Sequence, residues 1–195
     1  MSIREAILRK VRESRDVKLQ FFETYADEIG RMCDGMAQRF RQGKKLFVMG
    51  NGGSACDALH TAVEFKHPIM EKRRALPAEA LMVDIATVSA ISNDLDFSRV
   101  FVNQLRVSAQ TGDMALAIST SGKSPNLIYA LEAARDRGLM TIAFSGKDGG
   151  RLKQFADYCF TVPSFSIHRI QEVHATLIHV MWDMIHVALG EEDVI

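Results

Sequence analysis

The feature that most limits how this chain can fold is a pair of short apolar runs, each ending abruptly in a polar turn that contains glycine. Lys45-Leu-Phe-Val-Met49 runs into Gly50-Asn-Gly-Gly-Ser54, and Met114 to Ile118 runs into Ser119-Thr-Ser-Gly-Lys-Ser124. Such short, uniformly apolar runs predict strands buried on both faces. Each is followed by a helical stretch. One covers 55–65; the other opens at Pro125, a residue tolerated in a helix's first turn, and runs to about Arg137 before Gly138. Further strands are predicted at 78–83, 140–144 and 158–162. Residues 1–43 read as helical, because Tyr25, Ile29, Met32, Met36 and Phe40 recur on one helix face before Gly43. Helices are also predicted over 101–109 and about 167–189. Strands alternating with helices imply a parallel sheet with helices on both faces. Ligands of such sheets bind outside the carboxyl ends of the strands. Turns 50–54 and 119–124 therefore share the ligand edge.

A chain of 195 residues suffices for one well-buried α/β domain. Lys plus Arg and Asp plus Glu number 24 each, so the net charge is zero. That balance argues against broad adhesion to nucleic acid or membrane. The first residues are charged at nearly every turn and lack the apolar core of a signal peptide. No stretch approaches the roughly 18 apolar residues of a membrane-spanning helix. Cys33, Cys56 and Cys159 are widely spaced and form no C-x-x-C, as expected of buried free thiols in a reducing, cytoplasmic compartment.

Gly50-Asn-Gly-Gly-Ser-Ala55 matches the loose dinucleotide fingerprint, but that motif wants an acidic residue about 20 positions on. Asp84, at the end of the second predicted strand, is well beyond that distance. The turn is better read as a cradle for an anion or sugar hydroxyls, with Ser54 as a donor and no nucleotide cofactor. The segment 117–124 is a near miss for a P-loop. Ser119, Thr120, Ser121 and Ser124 supply short neutral hydroxyls beside the amides of a helix start, which suits a phosphate monoester. A plain turn with an N-cap is the alternative. His60 and Glu64 stand four apart on one helix face. They read as a solvated pair, a general base with its neighbour, or metal ligands. The last helix carries His168, His174, His179 and His186. Its apolar stripe is Ile170, Val173, Leu177, Met181, Met184 and Ala188. His179 lies on roughly the opposite side, beside Ile178 and Trp182, and His186 reads as a satisfied core residue. A helix apolar on both sides is buried, often between subunits.

Five segments, GNGGSACDALHTAVEF, AISNDLDF, AISTSGKSPN, FSGKDGG and RIQEVHATLIH, occur in this order. Together they resemble the phosphoheptose isomerases of the SIS fold family, over about residues 45–186. The resemblance implies a three-layer α/β sandwich on a five-stranded parallel, flavodoxin-like sheet. N-terminal helices and a long C-terminal helix complete it, as a single domain over 1–195 whose segment 1–43 packs in an oligomer. It implies an aldose–ketose isomerase acting on sedoheptulose 7-phosphate. Glu64 and His179 match the general acid/base pair. Asn51, Gly52, Gly53 and Ser54 match the first ligand turn, and Asn93 and Asp94 a polar step near the sugar. Ser119, Thr120, Ser121 and Ser124 match the phosphate loop. His60, Glu64, Gln171 and His179 match a zinc site, with Gln171 also near the substrate. The implied assembly is a homotetramer, with no nucleic-acid or membrane partner.

Two stretches depart from the family pattern. The Gly-Arg that follows the glutamate in relatives is replaced here, where the chain reads Phe65-Lys-His-Pro68. His168 stands where a small or acidic residue is common. Lys66, or the cluster Lys72-Arg73-Arg74, is a candidate replacement for the missing charge, although that cluster also reads as a solvated loop. The alternatives are an isomerase for another sugar phosphate, a phosphosugar-sensing regulatory module, and a non-catalytic relative that binds the bacterial replication initiator. The last of these lacks the catalytic pair that this chain keeps. On one straight helix, Gln171 and His179 lie roughly 12 Å apart and differ in direction by about 80°. That spacing predicts a site shared between chains.

Overall fold

The structure is a computed structural model that describes residues 1–69 and 73–193. Helix α1 (Ile3–Arg41) starts at a capping box: Ser2 accepts the Glu5 N–H, and Glu5 accepts the Ser2 N–H in return. Then follow β1 (Leu46–Gly50), α2 (Gly53–Lys66), β2 (Ala78–Ala80), α3 (Ile85–Asp94), a single 3₁₀ turn (Phe97–Arg99) and α4 (Val100–Ser108). Next come β3 (Met114–Ile118), α5 (Pro125–Asp136), β4 (Met140–Gly146), a second 3₁₀ turn (Leu152–Gln154), β5 (Tyr158–Val162) and α6 (Ile167–Ala188). All neighbouring strands are parallel, in the order β2-β1-β3-β4-β5. This is the flavodoxin-like order. The chain leaves β1 toward one edge and returns to pair β3 on β1's other side, so the switch point lies between β1 and β3.

Alternation along the strands divides the core. Leu46, Val48, Leu116, Ile142 and Phe144 join a cluster with α1, α2 and α6. Phe47, Met49, Ala115, Ala117 and Ala143 face α4 and α5. Helix α6 lies between α1 and the sheet and beside α2. Both of its apolar sides, including Ile178 and Trp182, are therefore buried within this one chain. No partner is needed to explain its composition, which corrects the expectation drawn from its two apolar faces.

Three other sequence expectations change. The strand predicted over 78–83 stops at Ala80. Asp84 ends no strand; it is the N-cap of α3 and accepts the Thr87 N–H at 3.0 Å. Its hydrogen bonds from Thr87 hold its carboxyl below the usual range. Helix α3, unanticipated from sequence, buries none of its residues. No helix among the described residues is long and apolar enough to cross a membrane.

Candidate active site

The first ligand turn is built by glycines. A side chain at Gly50 would run into the Ser54 carbonyl, and Gly52, the N-cap of α2, has φ +55°. The turn closes with Ser54 N–H on the Asn51 carbonyl and Ala55 N–H on that of Gly52, both at 3.0 Å. Asn51 does not present a free amide. Its Nδ2 donates to Asn126 Oδ1 at 3.0 Å, and it accepts from Asn126 Nδ2 at 2.8 Å. This reciprocal pair ties the β1 turn to the start of α5 across the switch point. Beside it lies a cleft of about 320 Å³ lined by Asn51, Asp96, Phe97, Ser98, Ser124, Pro125 and Asn126. Asp96, Phe97, Ser98 and Asn126 are not singled out from sequence. Asp96, Phe97 and Asn126 do fall in the segments AISNDLDF and AISTSGKSPN, whereas Ser98 lies just past the first of them. Asn93 and Asp94 bond each other at 2.8 Å at the exposed end of α3, just before this wall, and do not line the cleft.

The second turn keeps its hydroxyls available. Ser119 Oγ accepts the Gly122 N–H at 3.1 Å, and Ser121 Oγ accepts the Lys123 N–H at 3.3 Å. A hydroxyl that accepts in this way still has its own O–H to donate. Ser124 is the N-cap of α5 but makes no side-chain cap bond. With Thr120, these are neutral donors at a helix N-terminus, the setting that favours an anion. The loop is splinted by the turn after β4: Arg151 N–H donates to the Gly122 carbonyl at 2.9 Å, and Lys123 pairs with Asp148 at 3.0 Å.

The third element lies on α2 and α6, which run side by side in the same direction. His60 Nε2 is 3.2 Å from Glu64 Oε1 and 3.3 Å from His179 Nε2. His179 is exposed, and the other two are partly so. A single ring nitrogen of His60 faces two partners, and one N–H cannot serve both. Converging lone pairs of this kind suit a cation. Ligand atoms about 2.0–2.1 Å from a tetrahedral zinc are separated by about 3.3 Å, and His60, Glu64 and His179 all fall within 4.8 Å of one another. One turn away, burial raises the Asp57 carboxyl while His60 draws it down. His174, buried and bonded to the Ser145 carbonyl at 3.1 Å, is pushed down to about 4 by burial and stays neutral.

Gln171 is placed elsewhere. Because α6 is continuous from Ile167, the Gln171 amide packs against Gly53 at the start of α2, and a Cβ on Gly53 would collide with it. His60 lies about 10 Å further along α2. One chain thus presents a His60–Glu64–His179 cluster, and its Gln171 sits at the first ligand turn. The cleft beside Ser124 includes none of these four residues. Lys66 and His67 end α2 exposed, and His168 is exposed at the start of α6. Lys72 lies outside the described residues. Arg73 is not solvated: it is buried and pairs with Asp183 at 2.7 Å. Arg74 is spoken for by Glu191 at 2.7 Å. Both arginines are thus paired within the chain.

The SIS domain model matches residues 11–146. The phosphoheptose isomerase of Thermodesulfovibrio yellowstonii is 42% identical over 191 residues, 98% of this chain and 95% of the relative. That of Aquifex aeolicus is 42% identical over 181 residues, 93% and 95% of the two chains. Among solved structures, the phosphoheptose isomerase GmhA of Neisseria gonorrhoeae superposes with a TM-score of 0.87 at 34% identity, covering 94% of this chain and 98% of that one. The phosphoheptose isomerase of Francisella tularensis gives 0.90 at 31% identity, covering 96% and 100%.

Proposed function

We propose that this chain, which belongs to the SIS domain family and within it to the phosphoheptose isomerases, interconverts sedoheptulose 7-phosphate and D-glycero-D-manno-heptose 7-phosphate. It would thereby supply heptose for a bacterial surface polysaccharide from the cytoplasm, where its three cysteines remain free thiols, although only Cys33 is buried as expected and Cys56 is exposed. The observation that carries the reading is the carboxylate–imidazole cluster of Glu64, His60 and His179, in a chain that also holds a hydroxyl-rich phosphate loop at the sheet's ligand edge.

The reaction moves a proton between adjacent carbons through an enediol. Glu64 takes the proton from the carbinol carbon of the ketose and returns it to the neighbouring carbon. His179 relays protons between the two oxygens, giving one to the former carbonyl and accepting one from the former hydroxyl. Ser119, Thr120, Ser121 and Ser124 anchor the phosphate, which does not react. His60, Glu64 and His179, joined by Gln171, would hold zinc, whose chemistry there is polarisation of the carbonyl. A proton NMR assay with sedoheptulose 7-phosphate tests the activity. Aldose signals should appear, with deuterium incorporated next to the carbonyl in D2O. No conversion by folded, zinc-supplied protein would overturn the assignment. Treatment with a chelator should lower the rate and added zinc restore it, whereas full activity in protein free of metal by elemental analysis removes zinc from the account.

The assembly is a homotetramer that completes the site by bringing Gln171 and the phosphate loop of one chain to the cluster of another. Supporting this, Leu59 and Val63 stand 43% and 51% exposed on α2, on either side of His60, and Ile3, Ile7 and Val11 form an exposed apolar row on α1. Light scattering should give the tetramer mass. Glu64→Gln and His179→Ala variants, unfolded together and refolded as hybrids, should regain activity if the two residues of a site come from different chains. Hybrids that stay at background place Glu64 and His179 in one chain, as their proximity here supports, and leave Gln171 and the loop as the partner's contribution. A fully active monomer would end the proposal.

A further inference from the structure

The last turn of α2 leaves carbonyls without helical partners. Val63 still has its helical bond, from the His67 N–H at 2.8 Å, whereas Phe65 accepts the Leu76 N–H at 2.7 Å. The carbonyl of Glu64 is satisfied differently, by the indole N–H of Trp182 at 3.0 Å. Trp182 is the only tryptophan of the chain and lies three residues beyond His179 on α6. The bond therefore joins the backbone of one member of the cluster to the helical turn next to another.

The indole is itself held on its sides. The Arg73 guanidinium lies 4.4 Å from the ring centroid, and His186 packs edge-on at 4.9 Å. Arg73 is fixed in turn by Asp183 and by the Glu192 carbonyl at 3.3 Å. His186 bonds Glu191 at 2.8 Å. A cation on the ring of a residue that is only 7% exposed is a stronger contact than one in water. So the segment after α2 and the chain end after α6 close around one ring, whose polar edge points at Glu64.

We propose that Trp182 is a positioning residue for the isomerase site: its N–H fixes the end of α2 and so sets the distance between the Glu64 carboxylate and His179, with Arg73 clamping the ring in place. This rests on the reading of Glu64 and His179 as the acid/base pair. Groups that orient primary residues in this way typically change metal affinity or activity 10- to 100-fold when removed, and misplacement by about an ångström is enough to slow chemistry. Among the described residues, the polar and ring contacts of Trp182 are to Glu64, Arg73 and His186, none of them in the 119–124 loop, so substrate anchoring is expected to change little.

The test is Trp182→Phe, which keeps an aromatic ring under Arg73 and removes only the donor. The expected result is a kcat about tenfold lower with KM within about twofold. Zinc affinity, measured by competition with a chromophoric chelator, should weaken about tenfold. Arg73→Met, which keeps the donor and loosens the clamp, should shift both readouts in the same direction by less. If Trp182 only fills space, Trp182→Phe lowers the thermal midpoint while kcat and zinc affinity stay within twofold, and the inference is overturned. Should Trp182→Phe not fold, Arg73→Met decides in the same way. A parent chain that binds zinc but leaves sedoheptulose 7-phosphate unchanged would refute the assigned reaction alone, and the zinc measurement would still judge Trp182. A parent that does neither overturns both.

Discussion

Glu64→Gln is expected to lower kcat by about 100-fold or more, the usual scale for loss of an acid/base group and equivalent to about 2.7 kcal/mol of barrier. The substitution separates two roles of one side chain. The amide retains an oxygen that can ligate a cation beside His60 and His179, but it cannot accept a proton from carbon. Zinc should therefore remain bound, by elemental analysis, while turnover is lost. His179→Ala should lower kcat on the same scale and should also weaken zinc, because an imidazole 3.3 Å from His60 Nε2 disappears. His179 is exposed and Glu64 partly so, and the pair Glu64 forms with His60 is not fully buried, so neither change should unfold the chain. A folded Glu64→Gln enzyme with near-parental kcat would remove Glu64 from the proton transfer.

Much of this architecture is legible in local pattern, for a physical reason. A strand buried on both faces must be apolar throughout, and a turn that approaches a ligand must be small. The runs before Gly50 and Ser119 therefore announce both the sheet and its ligand edge. What stayed hidden has no local signature. Helix α3 is written mainly by its cap, Asp84 to Thr87, because with no residue buried there is no strong stripe to read. Arg73 looks like one charge of a solvated run, yet Asp183 and Trp182, which bury it, are more than a hundred positions downstream. Asn126 follows Pro125 as an ordinary helix opener, and its pairing with Asn51 exists only once β1 and β3 are adjacent. The separation of Gln171 from His179 is of the opposite kind. Helix geometry alone foretells it, and the contact of Gln171 with Gly53 bears it out.

The 119–124 loop, proposed to hold the phosphate, owes its shape to a backbone interlock, and Gly122→Ala should break it. Gly122 has φ +62°, a conformation that costs an L-residue roughly 1–2 kcal/mol. Its added Cβ would also strike the Gly149 carbonyl and come within 2.7 Å of Ser145 Oγ. The struck carbonyl is backbone and cannot swing aside, and Gly150, at φ +58°, lies so near Gly122 that a Cβ there would collide with it in turn. Overpacking of this kind adds roughly 1–3 kcal/mol. The loop can relieve the clash only by moving, which shifts Ser121 and Ser124 on either side and breaks the Arg151 N–H bond to the Gly122 carbonyl. We expect a stability loss of about 2–5 kcal/mol by urea unfolding, the sum of these two costs, and a KM for sugar phosphate at least about tenfold higher. Because the phosphate is held equally in ground and transition states, kcat should change less than KM. Gly43→Ala is the control: its φ is +74°, but a Cβ there meets nothing within 4 Å. It should carry the conformational cost alone and leave KM unchanged. If the two variants lose the same stability and bind substrate alike, contact with the 146–150 turn does not hold the phosphate loop in place. The neutral hydroxyls would then have to be positioned by α5 alone.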